Sequence, residues 1–452
     1  MSETEKTSSS QSDPSKNSEE NTEKKGRFFH LNFVWLIVLV SGFAELSYVI
    51  VNISAMPVYI TQARHLDARW IGAMTTAFML LEGVLKSPFG LLGDRIGRKA
   101  LIVSGPAVSV FTALLTPHVE SPYLLLCLRI LDGIGAAALW PSTFSLIGDN
   151  VPPERRAAAM SQFNLAYLFG LALGPAIGGI INDTAFHTLK ISLEASKEAS
   201  FYAAAFMFAV TAIIAFLFIP SSGRSHHDPN DMGPGVEGGF NFADFKAMLK
   251  QMPQTLMLAY VTFMAVGLVM PYAKIFVQEQ FHLSESGFGL IMMGPAIVIG
   301  ILSLYLGKLT DRFGKAKAVR GGITLCAVTY MFLLAYPTQF TLVVLGSIIG
   351  LGFVVAFPAW MALVSEDCDP RQRGATVGAV GTAQGLGAIS GAMISAFLYK
   401  QPAMNLFGFG AIRVPEHGLP FLACGVMLII AAILALTTVK EVTKGKGENS
   451  LS

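Results

Sequence analysis

Gly90-Leu-Leu-Gly93-Asp94-Arg95-Ile-Gly97-Arg98-Lys99 returns 217 residues later as Gly307-Lys-Leu-Thr-Asp311-Arg312-Phe-Gly314-Lys315. The same offset carries His65 onto His282, Gly72 onto Gly289 and Gly83 onto Gly300. Gly133, Gly135 and Pro141 meet Gly350, Gly352 and Pro358, and Pro153 and Arg156 meet Pro370 and Arg373. Gly170 and Gly174 meet Gly387 and Gly391. With 44 glycines in the chain, isolated matches arise by chance. A Gly-x-x-x-Asp-Arg-x-Gly string in register with all the others does not. The chain therefore reads as two copies of one unit joined head to tail.

Composition says what kind of unit. Charged residues are 14% and hydrophobic ones 53% of the 452 residues, with a mean hydropathy of +0.55. A soluble domain carries about 25% charged residues, so a water-facing surface cannot be built from this sequence. Apolar runs of membrane-crossing length, about 20 residues each, fall at 33–58, 69–91, 100–118, 121–148, 157–181, 200–219, 255–278, 286–307, 319–336, 340–364, 375–399 and 418–438. Loops are short except 182–199 and 220–254, the second containing the Gly/Pro-rich stretch Pro229–Gly239. The fold class expected is all-α integral membrane, with twelve transmembrane helices in two pseudo-symmetric six-helix bundles. Residues 28–219 form the first half and 255–438 the second, joined by a cytoplasmic linker at 220–254. Residues 1–27, almost free of apolar side chains, form a disordered tail, and 439–452 a second tail. Loops on the side of the termini carry 18 Lys and Arg against 6 on the other, which places both termini in the cytoplasm. Two halves of the same sense put a cavity at their interface near the midplane.

Net charge is +2, so no nucleic-acid partner is indicated. The four cysteines are too few for a disulfide scaffold. No Gly-x-x-x-x-Gly-Lys-[Ser/Thr] string occurs, which argues against ATP-driven transport. His226 and His227 beside Asp228 are a weak metal motif in a solvated loop, and no metal site is assigned.

The Gly90–Lys99 string and its copy resemble the loop signature of the major facilitator superfamily. Gly90, Asp94, Arg95, Gly97, Arg98 and Lys99, with Gly307, Asp311, Arg312 and Gly314, are then a cytoplasmic gate in which an acid among bases latches the halves. The alternative is a topology-setting basic loop. Arg129-Ile-Leu-Asp132-Gly133 stands where the family often has Arg-x-x-Gln-Gly, tied to proton-coupled transport. Arg129 and Asp132 lie three apart on one helix face and can pair; they are either a pathway element or a self-neutralised structural pair. Gly170-Leu-Ala-Leu-Gly174-Pro175-Ala-Ile-Gly178-Gly179 is similar to the antiporter signature of drug:proton exporters, and small residues of this kind also let helices approach closely. The copy at 387–391 keeps both leading glycines but has Ala392 for the proline.

Glu45, Glu82 and Asp132 lie near mid-span in the first half, whereas the second half offers only Lys274, late in its first span, where it can reach the outer interface. Intramembrane acids are costly and mark pathways. Glu45, on the cavity-lining first span, is the leading proton-coupling candidate, followed by Asp132 with Arg129 and by Glu82. Asn52 and Pro57 resemble the end of the first span in drug exporters, but the acid some relatives carry five residues before that Asn is Ser47 here. Tyr48, Asn52, Trp140, Tyr272, Trp360 and Gln384 are substrate-cavity candidates, set against plain packing or an interface anchor, which such residues more often are. The resemblance implies a monomeric, non-enzymatic secondary transporter of the plasma (inner) membrane that needs no cofactor beyond the proton gradient. Its partners are protons, lipid and a small-molecule substrate. The expected activity is efflux of small, fairly apolar compounds by antiport; the alternative is a proton-coupled importer of a sugar, organic acid or peptide.

Overall fold

A glycine with positive φ divides the second span from the third in each half. Gly97 has φ 95° and ψ 138°, and Gly314 has φ 93° and ψ 139°, a region open to glycine and closed to most side chains. The last turns of the first span in each half also end alike, with His65 at φ 49° and His282 at φ 52°. The 217-residue offset is thus a repeat of backbone geometry as well as of letters.

The computed structural model describes residues 33–220, 252–366, 373–406 and 412–439. The tail at 1–27, nearly all of the linker and the segment beyond 439 lie outside the described residues. Each expected span coincides with a helix. In the first half these are α1 (Phe33–Ala63), α2 (Arg69–Ile96), α3 (Arg98–Leu115), α4 (Pro122–Asn150), α5 (Pro153–His187) and α6 (Ala199–Phe218). The second half has α7, broken into arms Pro253–Val269 and Ala273–Phe281, then α8 (Glu285–Phe313), α9 (Lys315–Ala335), α10 (Gln339–Glu366), α11 (Arg373–Leu398) and α12 (Leu419–Thr438). Among the described residues nine helices are long and apolar enough to cross a membrane, ten when the arms of α7, bent by 47°, count as one span. The other two are α2, whose apolar run is interrupted by Glu82 and Lys86, and α11, diluted by glycine and alanine. Proline stands in the first turn of α4, α5, α7 and α12, where its missing N–H costs nothing.

Two local expectations change. The loop placed at 182–199 is shorter, because α5 runs on to His187 and a one-turn helix, Leu193–Ser196, precedes α6. Between α11 and α12 the chain pairs Met404–Leu406 (β1) with Ile412–Val414 (β2), antiparallel, a hairpin that hydropathy alone does not signal.

Within each half, paired glycines set the helix spacing. A Cβ on Gly105 of α3 would lie 2.5 Å from the Gly135 carbonyl of α4, and one on Gly322 of α9 would lie 2.6 Å from that of Gly352 of α10. Both pairs are related by the repeat. Gly387 and Gly391 press α11 onto α7 at Tyr260 and Met264, just as Gly170 and Gly174 press α5 onto α1. Bare backbones in contact gain dispersion where lipid supplies no hydrophobic drive.

Candidate functional site

The halves meet through α2 against α11 and α5 against α8. The end of the bundle holding the Gly97 and Gly314 turns is here the near end, and the opposite one the far end. At the far end the contact is close. A Cβ on Gly72 of α2 would come within 2.7 Å of Ala396 of α11 and 2.9 Å of the Tyr272 hydroxyl. Eleven residues further along α2, on the same helical stripe, a Cβ on Gly83 would meet nothing within 4 Å; the same holds for Gly381 and Gly385, on the α11 stripe of Ala392 and Ala396. The two helices touch at the far end and splay toward the near end.

The far end is closed by polar contacts that hydropathy reading missed. Lys274, 1% exposed on the outer arm of α7, donates to Glu285 of α8 at 3.0 Å and to Ser54 of α1. Glu285, 3% exposed, also takes Lys197 from just before α6 and the Asn182 amide of α5 at 2.8 Å. The Ser200 backbone N–H donates to Asn182 Oδ1 at 3.0 Å, which turns the NH2 group of Asn182 toward Glu285. Asp183 accepts from the backbone and hydroxyl of Ser286. Beside this cluster Tyr272 donates to the Ala68 carbonyl at 3.1 Å and stacks on Tyr399, and Lys400 pairs with Asp67. Partial burial would raise the Asp67 carboxyl, but hydrogen bonds from Lys400 and Arg69 hold it below the ordinary range. The sequence signal for this cluster was Lys274 itself, since a lysine within a span requires an anion.

The expected proton-coupling residues lie in the first half. Glu45 is 6% exposed at the crossing of α1 and α5. A Cβ on Gly170 would sit 2.8 Å from its Cβ and Cγ, and Tyr167, one turn earlier on α5, is a polar neighbour of its carboxyl. Glu82 and Lys86 of α2 act on Glu45 electrostatically and pair with each other at 2.7 Å. Arg129 and Asp132 are each 1% exposed, paired at 2.9 Å, with Thr112 donating to the second oxygen of Asp132. Arg129 Nε and Nη2 have no partner among the described residues, so Asp132 alone compensates the guanidinium. Asp132→Asn is expected to lower folded yield and thermal midpoint sharply, since removing one partner of a buried pair costs about 3–5 kcal/mol. A midpoint within a degree or two of the parent would refute the structural role of this pair.

The antiporter-type string serves both interfaces. Gly170, Gly174 and Gly178 lie on Glu45, Val49 and Ser54 of α1. Gly179 lies on the Glu285 backbone, and the residues Pro175 and Ala176 lie on Gly289 of α8. Next to Ser54, α1 widens into two π-helical stretches, Ile50–Ala55 and Tyr59–Ala63, flanking Met56–Val58.

The cavity candidates separate. Tyr48 is buried, hydrogen-bonded to Ser109 at 2.9 Å and edge-on to Phe208. Asn52 donates to the Tyr48 carbonyl at 2.9 Å. Trp140 is buried beside Phe163 and Tyr167. Tyr272 belongs to the far-end closure, and Trp360 to the core of the second half. Gln384 holds a buried Nε2 that lacks a partner among the described residues.

At the near end Arg98 pairs with Asp149 of α4, and Lys99 sits 5.5 Å over the Phe216 ring; Arg95 is exposed. Gly93 packs against Leu101, and Gly90 reaches Pro141. The side chains of Asp94, Gly307, Asp311 and Arg312 lie outside the described residues.

Residues 34–268 and 255–451 both match the family model described as Major Facilitator Superfamily. An uncharacterised MFS-type transporter of Methanocaldococcus jannaschii is 25% identical over 76% of this chain and 85% of its own length. Multidrug resistance protein 2 of Bacillus subtilis is 24% identical over 90% of this chain and 94% of its own. The fold is similar to the crystal structure of a bacterial homologue of the human lysosomal transporter Spinster, described as inward-facing and unoccupied. The TM-score is 0.70 at 18% identity, covering 90% of this chain and 96% of that one.

Proposed function

Because the chain belongs to the major facilitator superfamily and is a multi-pass secondary transporter, we propose that it exports small, fairly apolar compounds in exchange for protons. The observation that carries this reading is the seat of Glu45. A buried carboxylate lies under the glycine string of α5, with Tyr167 as a polar neighbour, in the bundle that also holds Glu82 and Asp132. Likeness to a multidrug resistance protein over nearly the whole chain supports the same branch. The second half contributes no comparable mid-span acid among its described residues, which suits an uncharged or weakly cationic substrate. A proton-coupled importer of a small metabolite is the alternative.

The excess of Lys and Arg in the near-end loops supports a cytoplasmic near end, and on that reading the splayed arrangement is an inward-facing state of a plasma (inner) membrane protein. The test of function is dye or drug accumulation in everted vesicles energised by an imposed pH gradient. Proton-driven uptake into such vesicles supports export, and uptake only into right-side-out vesicles overturns it. A reporter fused after Ser452 is expected to be active only in the cytoplasm; activity on the outer side would reverse the orientation.

A further inference from the structure

Glu285 has two cations and two different relationships to them. Lys274 belongs to its own half and moves with it. Lys197 belongs to the other half, and any opening of the far end carries it away from Glu285. We propose that Lys197 is an exchangeable counter-ion, paired with Glu285 across the interface while the far end is shut and passed to Asp183 of its own half when it opens. This inference rests on the family's alternation between two states and is independent of the substrate and of proton coupling.

Three observations converge on it. First, Glu285 keeps Lys274 at 3.0 Å within the second half, so separation does not strip it of a cation. Second, Asp183 lies next to Asn182 on α5, and the Lys197 charge already acts on it. Its present hydrogen bonds go to the Ser286 backbone and hydroxyl, across the interface, and opening would cut both and leave the carboxylate free. Third, the bond from the Ser200 N–H to Asn182 ties the start of α6 to α5, so Lys197 moves with the helix that carries Asp183. The four charges therefore sort into one neutral pair per half: Lys274 with Glu285, and Lys197 with Asp183. Intramembrane charges are tolerated when paired. A gate that re-pairs as it opens leaves no orphan charge at the cavity mouth.

The two carboxylates should then act with opposite sign. Glu285→Gln and Lys197→Met remove the closed-state pair and favour the open far end. Asp183→Asn removes only the open-state partner, because the amide oxygen can still accept from Ser286, and so favours the closed far end. Distances between spin labels at Leu189 and Phe340, 67% and 75% exposed on opposite halves, report the gap in the full chain. Native cysteines are replaced and the protein is held in lipid nanodiscs. Lys400→Ala, which severs the contact to Asp67, provides a background in which the open fraction is large enough to fall.

In that background Asp183→Asn is expected to lower the open fraction about fivefold, the lower end of typical coupling between sites. Lys197→Met should raise it by a similar factor, and Lys197→Arg should restore the parent distribution. Should Lys197→Met fold poorly, Glu285→Gln gives the same reading. The proposal is overturned if Asp183→Asn opens the far end or leaves the distribution unchanged. It is equally overturned if Lys197→Met or Glu285→Gln leaves the far end as shut as the parent.

Discussion

Glu45→Gln abolishes gradient-driven accumulation while leaving substrate exchange in place: this is the expected result in vesicles with and without an imposed pH difference. At a helix centre an ionised acid costs about 2.5–3.5 kcal/mol even on the lenient insertion scale, and the protonated form far less. Glu45 sits under Gly170 with Tyr167 as a polar neighbour, a seat that accepts either form as the cavity changes sides. Gln reproduces the shape and hydrogen bonding of the protonated acid and cannot release a proton. Accumulation should drop at least tenfold, with binding of an uncharged substrate little changed. Parental accumulation in Glu45→Gln would remove this residue from the coupling scheme and pass the role to Glu82 or Asp132.

A valine at Gly179 is expected to wedge the far end open. The added Cβ would collide with the Glu285 main chain, and main chain cannot step aside as a flexible side chain can. Overpacking costs about 1–3 kcal/mol, which as a difference between two states is roughly a 5- to 150-fold shift. Folding should survive, because α5 stays fixed to α1 through Gly170, Gly174 and Gly178. The expected phenotype is a monodisperse protein, transport reduced at least tenfold, and a cysteine placed at Ser54 reactive from the far side. A Gly179→Val protein that transports normally would show that this backbone contact does not form during the cycle.

Most of the architecture was legible from spacing alone. Apolar runs located every span, and residues matched in type by the 217-residue offset also share backbone conformation, Gly97 with Gly314 and His65 with His282. Both facts are local, because hydropathy is read within one helix and positive φ at one residue. The far-end lock was not legible, because its members come from α1, α5, the approach to α6, α7 and α8, and nothing in the sequence orders distant segments in space. Glu285 falls one residue outside the apolar run 286–307, so hydropathy gives it no role. Lys274 read as a side chain reaching the outer interface, whereas it is buried against Glu285. Tyr272 and Tyr48 are cavity candidates on residue type, with packing or an interface anchor as the other reading. The fold uses the first to cap the far end and the second as core, since an aromatic with one polar atom suits either place.

The bare backbones at Gly83, Gly381 and Gly385 carry a consequence for how variants of this protein will be sorted. In the state described, a methyl group at any of them enters empty space. A melting curve, an expression level or a binding assay run on this state will therefore score such changes as silent. When the halves tip the other way, the same stripes of α2 and α11 must close on each other. The added atoms are then met for the first time, and only turnover registers them. Damage at these positions is conditional on motion, so a catalogue of harmful substitutions drawn from stability alone will pass over the surfaces the transport cycle brings together.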